Sequence, residues 1–206
     1  MARTRNALKF DAQRQALLEA AGACFIRLGF HAASISDICT QAGGISPGRL
    51  YHYFPSKQAI VEALVAEERA EVALLFGAVA AIDDPLEAIL TLVERGIEMG
   101  CERDYGLLAT EIVGESLRNA EVGRIVRYAE RDYRERLIAL LADARTVRAR
   151  QGEPTWAAKD DDRLARGLTM IVDGASVRAL LEPSSLRTLT REAVDLARLM
   201  LVSACR

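Results

Sequence analysis

The sequence predicts an all-α chain: a compact N-terminal group of three helices followed by a larger helical region. Three observations carry that expectation. Half of the 206 residues are hydrophobic, enough to bury a sizeable core. Ala, Leu, Arg and Glu recur throughout while aromatics contribute only 5%, a balance that favours helix. No run of alternating β-branched residues stands out, so strands are not expected.

The elements follow in order. The first ten residues, MARTRNALKF, are polar and basic and read as a flexible arm. Asp11 is placed to cap the first helix, because its carboxylate can accept free amides of the next turn. Ala16, Leu17, Ala20, Ala21, Cys24, Phe25 and Leu28 then recur at helical spacing, and Gly29 ends the run as a left-handed C-terminal glycine would. Ser34 starts a second helix, with Asp37 three residues on as an acidic variant of the capping box. Ile35, Ile38 and Ala42 line its inner face, and Gly43 and Gly44 break it. Ser46 caps a third helix that has Pro47 at its first position, where no amide is lost, and runs to about Phe54. Pro55 interrupts, and Ser56 can cap a long helix from Lys57 to about Ala81.

Asp83, Asp84 and Pro85 mark a boundary. Further helices are expected over about 86–101, 104–117, 121–149, 161–181 and 185–203, with a polar loop at 152–160. Asp160, Asp161 and Asp162 read either as a solvated cluster or as acids favoured at a helix start by the macrodipole. The expected organisation is therefore an N-terminal three-helix domain at 1–58 and a larger helical domain at 59–206, joined by the helix at 57–81.

Net charge is −2, which by itself argues against a polyanionic partner. The distribution of charge points the other way. Residues 1–58 carry seven basic and three acidic side chains, while the remainder is net acidic. A partner senses only the face it meets, so this asymmetry is the useful signal. Cys24, Cys39, Cys101 and Cys205 form no CxxC pair and have no histidine at ligand spacing, so neither a metal site nor a cofactor is expected and reduced thiols are the reading. No signal peptide and no apolar run long enough for a bilayer is evident, so a cytoplasmic protein without membrane contact is expected.

The segment richest in function lies between Ser34 and Phe54. Two short helices joined by a glycine turn have the spacing of a helix-turn-helix. On the second, SPGRLYHYF, Leu50 and Phe54 share the inward face at i and i+4. Arg49, Tyr51, His52 and Tyr53 are left on or beside the outward face, a row suited to phosphates and base edges. Gly48 removes a side chain where the helix start would approach DNA closely.

The stretch FIRLGFHAASISDICTQAGGISPGRLYHYFPSKQAIVEAL, residues 25–64, resembles the DNA-binding domain of the tetracycline-repressor (TetR) family. Phe25, Gly29, Phe30, Ser34, Ile38, Ala42, Gly43, Ser46, Gly48, Leu50, Tyr51, Phe54 and Lys57 match its pattern. Three positions depart from it: Cys39 replaces a small alanine, Gly44 lengthens the turn, and Tyr53 replaces a common histidine. The stretches DPLEAILTLVERG and MIVDGASVRALLEP are similar to the ligand and dimer domain of family members.

The resemblance implies roles. Ser34 and Ser36 would contact phosphate, Pro47, Gly48 and Arg49 would approach bases, and Tyr51, His52 and Tyr53 would meet phosphates and base edges. Lys57 would hold the DNA backbone at the next helix start, with Arg3 and Arg5 as weaker candidates in the arm. The implied function is a ligand-responsive transcriptional regulator, most readily a repressor, that binds a palindromic double-stranded DNA operator as a homodimer. A small lipophilic or aromatic effector would release it. Constitutive binding or activation by the same fold is the alternative.

The last two helices have generous apolar faces: Leu164, Leu168, Ile171, Val172, Ala175 and Leu180, then Leu189, Ala193, Leu196, Leu199 and Met200. Two from each subunit would form a four-helix interface. Glu111, Tyr128 and Asp173 are candidate polar anchors of an apolar effector pocket. Glu111 and Glu115 share a helix face at i and i+4, but no nucleophile, phosphate loop or metal motif accompanies them, so no catalytic residue is expected.

Overall fold

The computed structural model describes residues 2–182 and 185–205, with backbone alone for residues 2–7. Its described residues form nine α-helices and no strand. The helices are α1 (Ala2–Leu28), α2 (Ile35–Gln41), α3 (Pro47–Tyr53), α4 (Lys57–Val79), α5 (Pro85–Cys101), α6 (Arg103–Ser116), α7 (Ala120–Arg150), α8 (Asp161–Leu181) and α9 (Leu186–Ala204). The chain divides into two compact units, residues 1–68 with 107–127 and residues 69–106 with 128–206.

The first unit differs from the expected segment 1–58 by extending to residue 68 and taking in 107–127. Its core holds Leu17, Leu18, Ala21, Cys24, Phe25, Phe30, Ile38, Leu50, Phe54, Ile60 and Val61, joined by Ile112, Val122 and Ile125. Leu108 lies against Gly22 of α1, and Glu111 bonds to the turn after α1. These contacts are made by residues far apart in the chain, so no local pattern announces them.

The start of α1 corrects the expectation of a flexible arm. The helix begins at Ala2, and Asp11 lies inside it rather than capping it. Polarity in MARTRNALKF signals exposure, which an exposed helical turn satisfies as well as an irregular arm. The side chains of Arg3 and Arg5 lie outside the described residues. The end of α1 is as expected: Gly29 adopts φ +78°.

In the second unit, α5 supplies Ala88, Ile89, Leu90, Leu92, Val93 and Ile97 to a core shared with Leu137 and Leu141 of α7, Leu164, Ala165 and Leu168 of α8, and Ala193, Ala197 and Leu201 of α9. The 152–160 loop ends in a 3-10 turn at Ala158–Asp160 and carries Trp156 into this core. The indole Nε1 donates to Asp161 Oδ1 at 2.7 Å, and Arg145 Nη2 lies 3.1 Å from Asp161 Oδ2. Asp161 is therefore buried and paired, whereas Asp160 and Asp162 pair at the surface with Arg163 and Arg166.

The apolar faces of α8 and α9 are only partly buried. Leu164, Leu168 and Ala193 belong to the core of the second unit. Met170, Val177 and Leu181 on α8 and Leu196, Leu199 and Val202 on α9 stay exposed. No described helix is long and apolar enough to cross a membrane.

Candidate nucleic-acid interface

Helices α2 and α3 are each set by a serine cap. Ser34 Oγ accepts the Asp37 N–H at 3.1 Å, while Asp37 Oδ2 accepts the Ser34 N–H at 2.8 Å and its hydroxyl at 2.6 Å. These bonds favour the ionised carboxylate and hold Asp37 below the usual carboxylate range, the Ser34 hydroxyl first and its backbone N–H next. Ser34 thus has its hydroxyl occupied by the cap, while Ser36 is exposed in the first turn of α2.

The turn between the two helices runs through Gly43 and Gly44 at φ +85° and +77°, conformations that L side chains rarely adopt. The N–H groups of Gly44 and Ile45 both reach Cys39 O, at 3.0 and 3.1 Å. The additional glycine is accommodated by this left-handed pair. Cys39 is buried beneath, and burial pushes its thiol up.

Ser46 Oγ accepts the Arg49 N–H at 3.3 Å, and Pro47 opens α3. Leu50 and Phe54 are buried, which fixes the rotation of α3. Pro47, Gly48, Arg49, Tyr51 and His52 consequently face solvent, and Tyr53 is half-buried. A Cβ at Gly48 would meet nothing within 4 Å, so the chain's own packing does not require glycine there.

Arg49, His52 and Tyr53 of α3 are contacted from α1. Arg49 Nη2 donates to Gln13 Oε1 at 3.0 Å. The Phe10 ring lies 4.6 Å from that of Tyr53 and 5.9 Å from that of His52. The Arg14 guanidinium sits 5.0 Å over the Phe54 ring. Sequence reasoning missed Phe10 and Gln13 because it began the helix only at Asp11 and followed its apolar face alone. Extending the helical period back from Leu17 through Arg14, Gln13 and Phe10 would have found them.

Lys57, the candidate contact to the DNA backbone, is half-buried. Its ammonium lies 4.3 Å from the Phe30 ring centre and donates to His31 O at 3.5 Å. Desolvation lowers its pKa, opposed by the charges of Glu115 and then Asp37. In this conformation Lys57 ties α4 to the turn after α1.

The three candidate effector anchors divide between the two units. Glu111 lies in the first unit, where Oε1 accepts the Phe30 N–H at 2.7 Å and sits 3.2 Å from the place of a Cβ on Gly29. That hydrogen bond occupies one of its two carboxylate oxygens. Tyr128 and Asp173 lie in the second unit. The half-exposed Tyr128 ring has the Arg69 guanidinium at 4.6 Å and that of Arg131 at 5.8 Å. Desolvation raises the Asp173 carboxyl, and burial, then the charges of Asp173 and Glu130, push the Tyr133 phenol up. Tyr133 meets Phe76 edge-on at 5.5 Å. Among the described residues no cluster has the makings of a metal site.

Comparison with known proteins agrees with this geometry. Residues 17–64 match the family described as "Bacterial regulatory proteins, tetR family", and residues 102–204 match "BetI-type transcriptional repressor, C-terminal". The chain is 34% identical over 119 residues to the HTH-type transcriptional regulator UidR of Escherichia coli K12, a match covering 55% of this chain and 57% of that protein. It thus spans somewhat over half the length of that relative. It is 28% identical over 175 residues to the HTH-type transcriptional regulator BetI of Rhizobium meliloti, covering 82% of this chain and 79% of that one. The solved structure of Salmonella enterica GusR superposes with a TM-score of 0.74 at 25% identity, covering 92% of this chain and 95% of the other. An all-α chain with a capped helix-turn-helix, matched in both its N-terminal and C-terminal regions, belongs to the TetR family of transcriptional regulators.

Proposed function

We propose that the chain is a cytoplasmic repressor that binds a palindromic operator as a homodimer and is released by a small lipophilic or aromatic effector. The observation that carries this reading is α3: Arg49, Tyr51 and His52 face solvent beside an unfilled Gly48, on a helix anchored by buried Leu50 and Phe54. That is a stable base presenting donors, rings and a close-approach point to a groove. Pro47 and Tyr53 flank the reading face, Ser36 and Ser34 lie at the start of α2 for phosphate, and Lys57 supports the surface by holding the turn after α1.

Repression fits the description of the matched C-terminal family as a repressor type. Dimerisation fits the exposed Met170, Val177, Leu181, Leu196, Leu199 and Val202, because apolar surface of this extent on two helices gains by burial. Glu111, Tyr128 and Asp173 are the candidate anchors proposed for the effector. Reciprocity then requires that an effector weakening operator binding be weakened by operator to the same factor.

The test is selection of duplexes from a random-sequence library by the full chain. The expected product is an inverted repeat whose half-sites lie about 34–36 Å apart, as successive major grooves demand. Arg49→Ala should cost about 1–3 kcal/mol on that site and relax its sequence preference. Equal affinity for all duplexes, unaltered in Arg49→Ala, would overturn the reading. For the effector, operator affinity is titrated against lipophilic and aromatic compounds. A compound that binds tightly and leaves operator affinity unchanged is not the effector, and a panel without any linkage favours constitutive binding.

A further inference from the structure

We infer that Phe10 and Gln13 of α1 are positioning residues that help determine which DNA sequence this protein prefers. The inference rests on the reading of α3 as the recognition helix and adds a layer behind it.

Because α1 is helical from Ala2, Phe10, Gln13, Arg14 and Leu17 fall at i, i+3, i+4 and i+7 on one face. Leu17 is fully buried and anchors that face. Proceeding outward, Arg14 covers the Phe54 ring, Gln13 accepts from Arg49, and Phe10 meets Tyr53 and His52. Arg49, His52 and Tyr53 of α3 are therefore contacted from a different helix. Phe10 itself is 40% exposed, so its ring has little core to fill and its aromatic contacts are with the reading residues.

The chemistry explains why this affects preference more than attraction. A guanidinium has five N–H donors in a rigid fork. With Nη2 bonded to Gln13, the direction of the remaining donors is set before DNA arrives. Base discrimination depends on that direction, because two donors must meet two acceptors on one base edge. Attraction to phosphates depends on charge, which Gln13 does not alter. In the same way, Phe10 restricts the rings of Tyr53 and His52 to one side.

The experiment uses the full chain and the duplex it selects from a random library. Affinities for that duplex and for every single-base variant give a preference profile for the unaltered protein, Arg49→Ala, Gln13→Ala, Gln13→Glu, Phe10→Ala and Phe10→Tyr. Ratios of affinities are compared, so a smaller folded fraction cancels. Gln13→Ala should flatten preference by about fivefold to tenfold at the bases where Arg49→Ala does, a part of what a bidentate contact supplies. Gln13→Glu, which keeps the acceptor, should restore it. Phe10→Ala should flatten preference at neighbouring bases, and Phe10→Tyr should not. A profile altered by Arg49→Ala yet unchanged by Gln13→Ala and Phe10→Ala overturns this inference alone. A profile that Arg49→Ala leaves unchanged overturns the reading of α3 and this inference with it.

Discussion

Glu111 of α6 accepts the backbone N–H of Phe30 at 2.7 Å, closing the turn that follows α1 across 81 positions of sequence. The same turn is also held by Lys57, whose ammonium lies over the Phe30 ring. An acid and a base from separate helices thus secure the segment leading into the helix-turn-helix.

Removing that acceptor leaves a part-buried N–H without its partner, so Glu111→Ala should destabilise the protein by about 1–3 kcal/mol. Glu111→Gln retains a carbonyl acceptor and should recover most of the loss. Urea unfolding measures both. Equal midpoints for Glu111→Ala and the unaltered chain would mean that the bond contributes nothing.

The two glycine environments make opposite predictions. Gly43→Ala forces a side chain into φ +85° and should cost roughly 1 kcal/mol or more. Gly48 has ordinary backbone and open space around it, so Gly48→Ala should leave stability intact or raise it by up to about 1 kcal/mol through helix propensity. Gly48→Ala should nonetheless weaken operator binding. Thermal melts beside binding curves separate the effects, and full operator affinity in Gly48→Ala would remove the case for close approach at that position.

The chain's one tryptophan reports on a buried pair. Asp161 receives both the Trp156 indole N–H and the Arg145 guanidinium. Asp161→Ala leaves both without their partner and should cost about 1–3 kcal/mol or more, with a red-shifted tryptophan emission as the loop loosens. Native-like emission and stability in that variant would show that the pair is dispensable.

A charge on α8 or α9 should have either of two outcomes. Leu168 is buried within its own protomer, so Leu168→Glu should unfold it. Leu196 and Met170 are exposed, so Leu196→Glu and Met170→Glu should keep helical content while shifting the proposed dimer toward monomer. Sedimentation at micromolar concentration distinguishes these results. Unchanged dimers in both exposed variants would exclude this face as the interface.

Asp37 links stability to acid pH. Its folded pKa lies below the ordinary value of 3.8, so its contribution is present above that value and is lost as pH falls through the folded pKa. Asp37→Asn should therefore flatten the acid limb of the stability curve below about pH 4, while lowering stability at neutral pH. An identical acid limb in the variant would contradict the capping geometry.

Local chemistry determined the helices and the reading motif. A serine cap needs only the amides of its own first turn, a left-handed turn needs glycine at its own position, and an amphipathic face needs apolar residues at helical spacing. Ser34, Gly43, Ser46, Pro47 and Leu50 therefore announced α2 and α3 without reference to the rest of the chain. Tertiary structure alone decided the partners. MARTRNALKF is polar whether it is an arm or an exposed helix, and only the packing of Phe10 and Gln13 against α3 gives that surface a task. Glu111 and Glu115 looked alike in sequence, yet one bonds to Phe30 and the other is buried near Lys57. On α8 and α9, apolar residues occupy more of the circumference than one interface needs. Which of them enter the protomer core is set by the rotation of each helix against its neighbours, and helical periodicity carries no information about that angle.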